Sequence, residues 1–324
     1  MDVKVTTGKK SGTVTWNLDQ IVRELRASRE LTHNIRLHGL IRELPSRKVL
    51  LGIVEGLCGA LFPTHYGRAD LNETNVDYFV GHTLNQTLPL LQEQVRRGLQ
   101  FGHSLEEQAD QAIASQAGEL TAAFARQLPA IRGLLFTDLD AAYRGDPAAT
   151  SASEILLCYP GMTAIIYYRL AHALQRLGMP LIARLISDIA HSSTGIDIHP
   201  AAEIGSHFFI DHGTGVVIGE TALIGQRVRL YQAVTLGAKK FEEGDDGVLI
   251  KGEPRHPIVE DDVVIYAGAT ILGRITIGKG SIIGGNVWLT QSVPARSHVV
   301  QAQMRTSATI QAKSIDERVG QWSI

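Results

Sequence analysis

The residues that decide the fold run from 258 to 293 and read IVEDDVVIYAGATILGRITIGKGSIIGGNVWLTQSV. An aliphatic residue recurs at every sixth position of this stretch: Val259, Ile265, Ile271, Ile277, Ile283 and Leu289. A helix repeats its buried face about every 3.6 residues and a strand about every two, so a period of six fits neither alone. It is typical of a parallel β-helix built from hexapeptides, in which each unit lays one short strand on one wall of a triangular prism.

Two further series with the same period lie upstream. Their members are Ile198, Ile204, Ile210 and Val216, followed by Ile218, Ile224, Leu230 and Leu236. A glycine directly follows several of these positions, where the chain leaves a wall and a Cβ is awkward. Three series in one region predict a prism whose aliphatic residues point inward and stack from coil to coil.

The period of six is confined to the last third of the chain and ends after about Pro294. From Asn17 to about His191, apolar residues lie three and four apart, which predicts helices. We therefore predict an α+β chain with a helical domain at 1–194, a β-helix at 195–300 and a tail at 301–324. The apolar segment 161–189 is expected to pack on the β-helix. The polar stretch 238–257 interrupts the series, so it should leave the prism as a loop.

Composition excludes several classes of function. The chain has 324 residues and a formal net charge of -2, which argues against nucleic acid as the main partner because phosphate binding needs a basic face. The two cysteines show neither a metal-binding nor a disulfide spacing. The start lacks the apolar core of a signal peptide, and the apolar stretch 49–62 is interrupted by Glu55. We expect a cytoplasmic protein without a membrane segment.

His212 is the first candidate for chemistry. It lies in IDHGTG (210–215), where two glycines leave the backbone room for a close ligand. Histidine titrates near neutral pH without help. Asp197 lies nearly one coil upstream, so the two side chains could stand within hydrogen-bond reach, where a carboxylate would orient a general base. The alternative is an ordinary histidine in a polar corner.

Four motifs taken together resemble the serine O-acetyltransferases. They are DIHPAA (197–202), DHGTGVVIGETA (211–222), VTLGA (234–238) and RHP (255–257). The long insertion and the run VIYAGATILG (264–273) are similar to those of the longer bacterial and protist subtype. The resemblance covers about Asp146 to Pro294 and implies a left-handed prism, an exception to the usual right-handed crossover. It also implies transfer of an acetyl group from acetyl-CoA to the L-serine hydroxyl, in cysteine biosynthesis.

The resemblance assigns roles to six residues. His212 would be the general base with Asp197 as its partner, and the other four would hold the two charged groups of serine. The ammonium would be held by Asp146 and Asp211, and the carboxylate by Arg255 and His256. A zwitterion needs acceptors at one end and a fork-shaped cation at the other, which suits these residue types. Taken singly, Asp146 could instead be a helix cap and Arg255 a solvated charge.

Acetyl-CoA in this family lies between adjacent prisms, so the resemblance implies a homotrimer and no metal. The positions that match the CoA groove are Gly237, Ala238, Ala267, Gly268 and Gly285, with Lys279 as a candidate for a CoA phosphate. Corners that simply need small residues are the alternative for the glycines, and a surface lysine is the alternative for Lys279. Whether two trimers pair is open.

The resemblance also implies two regulatory partners. The chain ends in Ile324, and in this family a C-terminal isoleucine can insert into the active site of O-acetylserine sulfhydrylase. An ordinary frayed end is the alternative. L-cysteine, which resembles serine in shape and charge, is expected to be a feedback inhibitor.

Three other functions remain open at this point. A related hexapeptide enzyme could acetylate another small hydroxyl acceptor, either homoserine or a sugar, and a sugar would have no need of the four residues that match a zwitterion. A lyase similar to γ-type carbonic anhydrase would hold a metal between prisms through three histidines, drawn from His191, His199, His207, His212 and His256. A catalytically silent scaffold would only dock a partner through its tail.

Overall fold

The structure is a computed structural model that describes residues 16–31, 36–37, 40–41, 43–101, 107–240, 248–250 and 252–301. The first part is helical, as predicted. Its helices are α1 (Leu18–Leu31), α2 (Arg47–Leu61), α3 (Pro63–Tyr66), α4 (Val76–Phe101), α5 (Glu107–Gly145), α6 (Ala152–Cys158), α7 (Pro160–Arg176) and α8 (Pro180–Thr194). A short antiparallel hairpin, β1 (Arg36–Leu37) with β2 (Leu40–Ile41), was not predicted. None of the described helices is long and apolar enough to cross a membrane.

The second part is a left-handed parallel β-helix with three walls. The first wall holds β3 (Asp197–Ile198), β6 (Val217–Ile218), β9 (Thr235–Gly237), β12 (Thr270–Leu272) and β15 (Trp288–Leu289). The second holds β4 (Glu203–Ile204), β7 (Leu223–Ile224), β10 (Ile258–Val259) and β13 (Thr276–Ile277). The third holds β5 (Phe209–Ile210), β8 (Arg229–Leu230), β11 (Val264–Ile265), β14 (Ile282–Ile283) and β16 (His298–Val299).

The predicted aliphatic positions stack inside the prism, with one exception. Ile198 stacks on Ile218 and not on Val216, because the corner between β5 and β6 holds two residues more than a hexad. Val216 is fully buried but precedes the strand, so its place at the end of the first series was wrong. The longer corner is the segment that carries His212.

The prism continues across the insertion that follows β9. Strand β10 pairs in register with β7, so the coil closes as if residues 238–257 were not there. The prism also continues past Pro294, where the period of six ends, because β16 still pairs with β14.

The helical domain is packed on the first coil of the prism. Helices α7 and α8 contact β5 and β3, and the buried hydroxyl of Tyr168 donates to the carbonyl of Ala202 at 2.6 Å. Gly161 lies so close to the third wall that a Cβ there would be 2.1 Å from the Ile210 carbonyl oxygen. The predicted packing of segment 161–189 on the β-helix is therefore observed, and α7 meets the prism at the residue before Asp211.

A buried ion pair joins the two parts. Arg169 of α7 binds both carboxylate oxygens of Asp138 of α5 at 3.0 Å, and the two side chains are 3% and 0% exposed. The same guanidinium donates to the carbonyls of Ile204 and Gly205 at 2.6 Å, and Asp138 accepts the Phe208 amide at 2.9 Å. One cation thus ties two helices to the turn between β4 and β5.

Arg169→Met should lower the free energy of unfolding by about 3–5 kcal/mol, because it leaves the Asp138 carboxylate buried without its cation. Denaturant unfolding followed by circular dichroism measures this loss. As a control, Arg68→Met removes an exposed ion pair to Asp70 and should leave the free energy of unfolding nearly unchanged, because water screens that pair. An equal, small effect of both changes would show that the buried pair does not hold the domains together.

Candidate active site

The corner between β5 and β6 presents His212 to solvent. His212 adopts a φ of 59°, and Gly213 and Gly215 have φ of 87° and 79°, so this corner has a left-handed backbone at several residues. Such a φ is uncommon for a residue with a side chain. A Cβ on Gly213 would lie 2.4 Å from a side-chain carbon of Ile196, so glycine is required there. The His212 side chain is 74% exposed, as an imidazole that must reach a substrate has to be.

Two carboxylates lie at the same corner. The Asp211 Oδ1 atom is 3.8 Å from His212 Nδ1, and the Asp211 side chain is only 14% exposed. Asp146, just after α5, accepts hydrogen bonds from the Tyr159 hydroxyl and the Ala148 amide. These two bonds, together with the nearby His212 and Arg229, lower the pKa of Asp146. The structure therefore brings Asp146, Asp211 and His212 together.

The side chain of Asp197 does not contact His212. The backbones are neighbours, because the Asp197 amide donates to the Val216 carbonyl at 2.9 Å. Among the described contacts, however, no hydrogen bond or ion pair joins the two side chains. Asp197 lies within electrostatic reach of His199, whose pKa is lowered by burial and only partly restored by the charges of Glu220 and Asp197. Asp197 stands on a wall, whereas His212 projects from a corner. The orienting role of Asp197 stays a prediction.

Arg255 and His256 form a second cluster, around Glu220 and Thr221. Arg255 Nη2 lies 2.5 Å from Glu220 Oε2, and the amides of both Arg255 and His256 donate to Thr221 Oγ1. His256 Nδ1 accepts the Thr221 amide at 3.0 Å, so the neutral ring carries its proton on Nε2. Burial, and then the charge of Arg255, lower the pKa of His256 to about 4. The cluster thus presents a fixed cation beside a neutral N–H donor.

The residues that hold this cluster were missed by the sequence analysis. The His256 ring lies on Gly219, where a Cβ would be 2.0 Å from the ring Cδ2 atom. Gly219, Glu220 and Thr221 stand together in the motif GETA (219–222), one coil before the residues they hold. That adjacency could have indicated their role.

The two clusters lie at different edges of the prism. We call the corner between the third and first walls the His212 edge, and the corner between the first and second walls the Arg255 edge. The first wall separates them, since His212 precedes β6 whereas Gly219 and Thr221 follow it. No hydrogen bond or ion pair among the described residues joins the clusters. A single chain therefore does not bring Arg255 and His256 to the acidic corner.

The positions predicted for CoA fall on all three edges. Ala267, Gly268 and Gly285 lie along the His212 edge, between the strands of the third wall and those of the first. Gly237 and Ala238 lie on the Arg255 edge. Gly268 has a φ of 72°, and a Cβ there would be 2.2 Å from Asn286 Oδ1, so the corner itself requires this glycine.

Lys279 lies on the remaining edge, between the second and third walls. Its ammonium nitrogen is 3.6 Å from a carboxylate oxygen of both Asp261 and Asp262. Its charge is therefore compensated within the prism. Among the described residues, no group of three histidine, cysteine, aspartate or glutamate side chains is arranged to hold a metal ion. That finding concerns one chain only, whereas the carbonic anhydrase alternative places its metal between prisms.

Comparisons with known proteins show which family the chain resembles. Residues 256–291 match the family described as bacterial transferase hexapeptide (six repeats). The chain is 58% identical over 297 residues to a protein of Synechococcus elongatus named serine acetyltransferase, plasmid, covering 90% of this chain and 93% of that relative. It is 47% identical over 167 residues to the serine acetyltransferase of Bacillus subtilis, covering 52% of this chain and 73% of that relative.

Solved structures extend the similarity to the helical domain. Serine acetyltransferase 1 of Entamoeba histolytica in complex with L-cysteine has a TM-score of 0.67 at 36% identity, covering 87% of this chain and 97% of that one. The prism of hexapeptides, the match to the transferase hexapeptide family and the named relatives together identify a hexapeptide-repeat acyltransferase. Within that class, the chain belongs to the serine acetyltransferase family.

Gly219→Ala should raise the pKa of His256 from about 4 toward the ordinary 6.5, because the new methyl group drives the ring into water. An NMR titration of the ring protons, assigned with His256→Gln, measures the change. Because the pKa of His256 is lower in the folded protein than in the unfolded chain, the free energy of unfolding of the wild type falls as the pH drops from about 6.5 to about 4. The variant should lose this pH dependence. Gly52→Ala, at a helix position with open space, is the control. A pKa that stays near 4 in Gly219→Ala would contradict this packing.

Proposed function

We propose that this protein transfers the acetyl group of acetyl-CoA to the hydroxyl of L-serine, which yields O-acetylserine for cysteine biosynthesis. One observation carries the proposal: an exposed histidine stands beside two carboxylates at one edge, and an arginine stands beside a neutral N–H donor at another. An acceptor with an ammonium, a hydroxyl and a carboxylate group complements this set. A sugar would need neither the anions nor the cation.

In the proposed reaction His212 acts as the general base. A carboxylate near Nδ1 (Asp211 in the single chain, or Asp197 as the resemblance implies) keeps the proton on Nδ1 and leaves Nε2 to accept one. His212 takes the proton of the serine hydroxyl while the oxygen attacks the thioester carbonyl. The C–S bond breaks, and the imidazolium returns its proton to the CoA sulfur. Asp146 and Asp211 would hold the ammonium, and Arg255 and His256 the carboxylate.

The proposed site for acetyl-CoA follows the His212 edge. Ala267, Gly268 and Gly285 lie in line with His212 on successive coils, and small side chains let a pantetheine arm approach the backbone. Gly237 and Ala238 would face the same groove from a neighbouring prism. Lys279 stays a candidate for a CoA phosphate, although its two aspartate partners weaken that assignment.

The separation of the two edges supports a homotrimer. One prism offers the base at one edge and the carboxylate binder at another, so a complete site needs the His212 edge of one subunit and the Arg255 edge of the next. Between these edges lies the first wall, and on its strands after β3 the outward side chains are uncharged. They are Val217, Thr235, Thr270 and Trp288. Such a face suits contact between copies, and cyclic closure gives equivalent sites.

The regulatory proposals rest on the same site. L-cysteine carries the ammonium and carboxylate of serine, so it should compete with serine for these residues, and a lack of competition would refute this. Docking of O-acetylserine sulfhydrylase through Ile324 is also proposed, but this residue lies outside the described part of the chain. Unchanged binding of the sulfhydrylase after deletion of Ile324 would refute this docking proposal. A cytoplasmic location is proposed for this metabolic role.

His212→Ala should lower kcat for L-serine by about 10²–10⁴-fold, because general base catalysis is lost. Release of the CoA thiol from acetyl-CoA is measured with L-serine, homoserine, a sugar or no acceptor. His191→Ala, at an exposed position near the end of α8, is the matched control and should leave kcat unchanged. Release with a sugar alone would favour the alternative acceptor, and near-normal turnover of His212→Ala would remove it from the base role.

Two inactive variants should complement each other in mixed trimers. His212→Ala spoils one edge and Arg255→Ala the other, so every trimer that contains both variants has one site in three formed by two intact edges. Purification through two different affinity tags, followed by thiol release at low serine concentration, measures the recovery. Mixtures of either variant with itself are the controls. No recovery in the mixed trimers would place both edges in one subunit's site.

A further inference from the structure

Tyr159 joins the two helices that reach the acidic corner. Tyr159 follows α6, and its amide donates at 3.1 Å to the Ile155 carbonyl in the last turn of that helix. Tyr159 also precedes α7, and the Thr163 amide of that helix donates to the Tyr159 carbonyl at 3.2 Å. Pro160 stands at the first helical position of α7, where a missing N–H costs nothing. The backbone of Tyr159 is therefore fixed by both helices, and the side chain is free to serve another purpose.

The Tyr159 hydroxyl binds the carboxylate proposed to hold the substrate ammonium. Tyr159 Oη donates to Asp146 Oδ2 at 2.5 Å, while the Ala148 amide donates to Oδ1 at 2.8 Å. Each carboxylate oxygen thus has one donor and keeps lone-pair capacity for a ligand. The contact lowers the pKa of Asp146 and raises the pKa of Tyr159 to about 12.

Tyr159 also stands at the junction with the prism. Two residues later Gly161 presses on the Ile210 carbonyl, and Ile210 directly precedes Asp211. The charge of Asp211 acts on the Tyr159 hydroxyl. The tyrosine therefore hydrogen-bonds a carboxylate that follows α5, and its hydroxyl lies within electrostatic reach of a second carboxylate that follows β5.

We propose that Tyr159 is a positioning residue that orients Asp146 toward the ammonium of the acceptor and so selects acceptors that carry one. The inference rests on the proposed function, in which Asp146 binds that ammonium. A short hydrogen bond to a charged group restricts the carboxylate to one rotamer. Without the hydroxyl, the Asp146 carboxylate keeps only its hydrogen bond from the Ala148 amide. Each substrate molecule must then fix the orientation of the carboxylate when it binds.

The test is Tyr159→Phe, which removes the hydroxyl and keeps the ring. The KM for L-serine should rise about tenfold, the size expected for loss of a hydrogen bond to a charged group, with kcat within about threefold of wild type. The KM for acetyl-CoA should not change. 3-Hydroxypropionate, which is serine without its ammonium, should inhibit wild type and variant equally. Tyr66→Phe is the control, because its hydroxyl donates to the Leu156 carbonyl nearby and does not touch Asp146.

Two outcomes would overturn the inference. The first is an unchanged KM for serine in Tyr159→Phe. The second is equal weakening of serine and 3-hydroxypropionate, which a general structural role would produce. A cycle with Asp146→Asn adds a further test, because Tyr159→Phe should have little effect once the carboxylate is gone, and a full additional effect would also contradict positioning.

The same cycle separates this inference from the proposed function. If wild type releases no thiol with L-serine, the proposed function itself fails. If wild type is active and Asp146→Asn leaves the KM for serine unchanged, only the role of Asp146, and with it that of Tyr159, is refuted.

Discussion

The buried contact between Arg169 and Asp138 is the constraint on which the arrangement of the site depends. Arg169 belongs to α7. Its guanidinium binds the Asp138 carboxylate of α5 and the carbonyls of Ile204 and Gly205, at the end of β4. Because α5 ends just before Asp146 and α7 begins just after Tyr159, this contact, together with the packing of α7 on the prism, fixes both residues relative to the coil that carries Asp211. The site is thus assembled from two folds held together by a charge that must remain paired.

The prism sets the second constraint. Strands in a β-helix alternate with corners, and chemistry that needs exposed polar side chains gathers at the corners because the walls are packed on one face. Residues at the same corner of successive coils come into line, whereas residues at different corners are kept apart by a wall. In the proposed trimer, the acidic corner with His212 and the cluster around Arg255 would face different neighbours. The substrate zwitterion would then lie between two copies of the prism.

The sequence predicted the prism well because the period of six repeats locally and is read without knowledge of distant contacts. It did not reveal the longer corner, since Val216 and Ile218 are both aliphatic and two residues apart. The resemblance supplied the candidate residues, but not the neighbours that hold them. The pairing of Asp138 with Arg169, of Tyr159 with Asp146 and of His256 with Gly219 depends on how distant elements pack. The period of six does not express that packing, and the orienting role predicted for Asp197 beside His212 stays a prediction.

The most direct test of the account is a crystal structure of the assembled protein with L-serine bound. We expect the serine ammonium to lie against Asp146 and Asp211, with its hydroxyl within hydrogen-bond distance of His212, all from one subunit. Its carboxylate should contact Arg255 and His256 of the neighbouring subunit. Serine held by residues of one subunit only, or bound away from the acidic corner, would contradict the claim that two edges of neighbouring prisms form one active site.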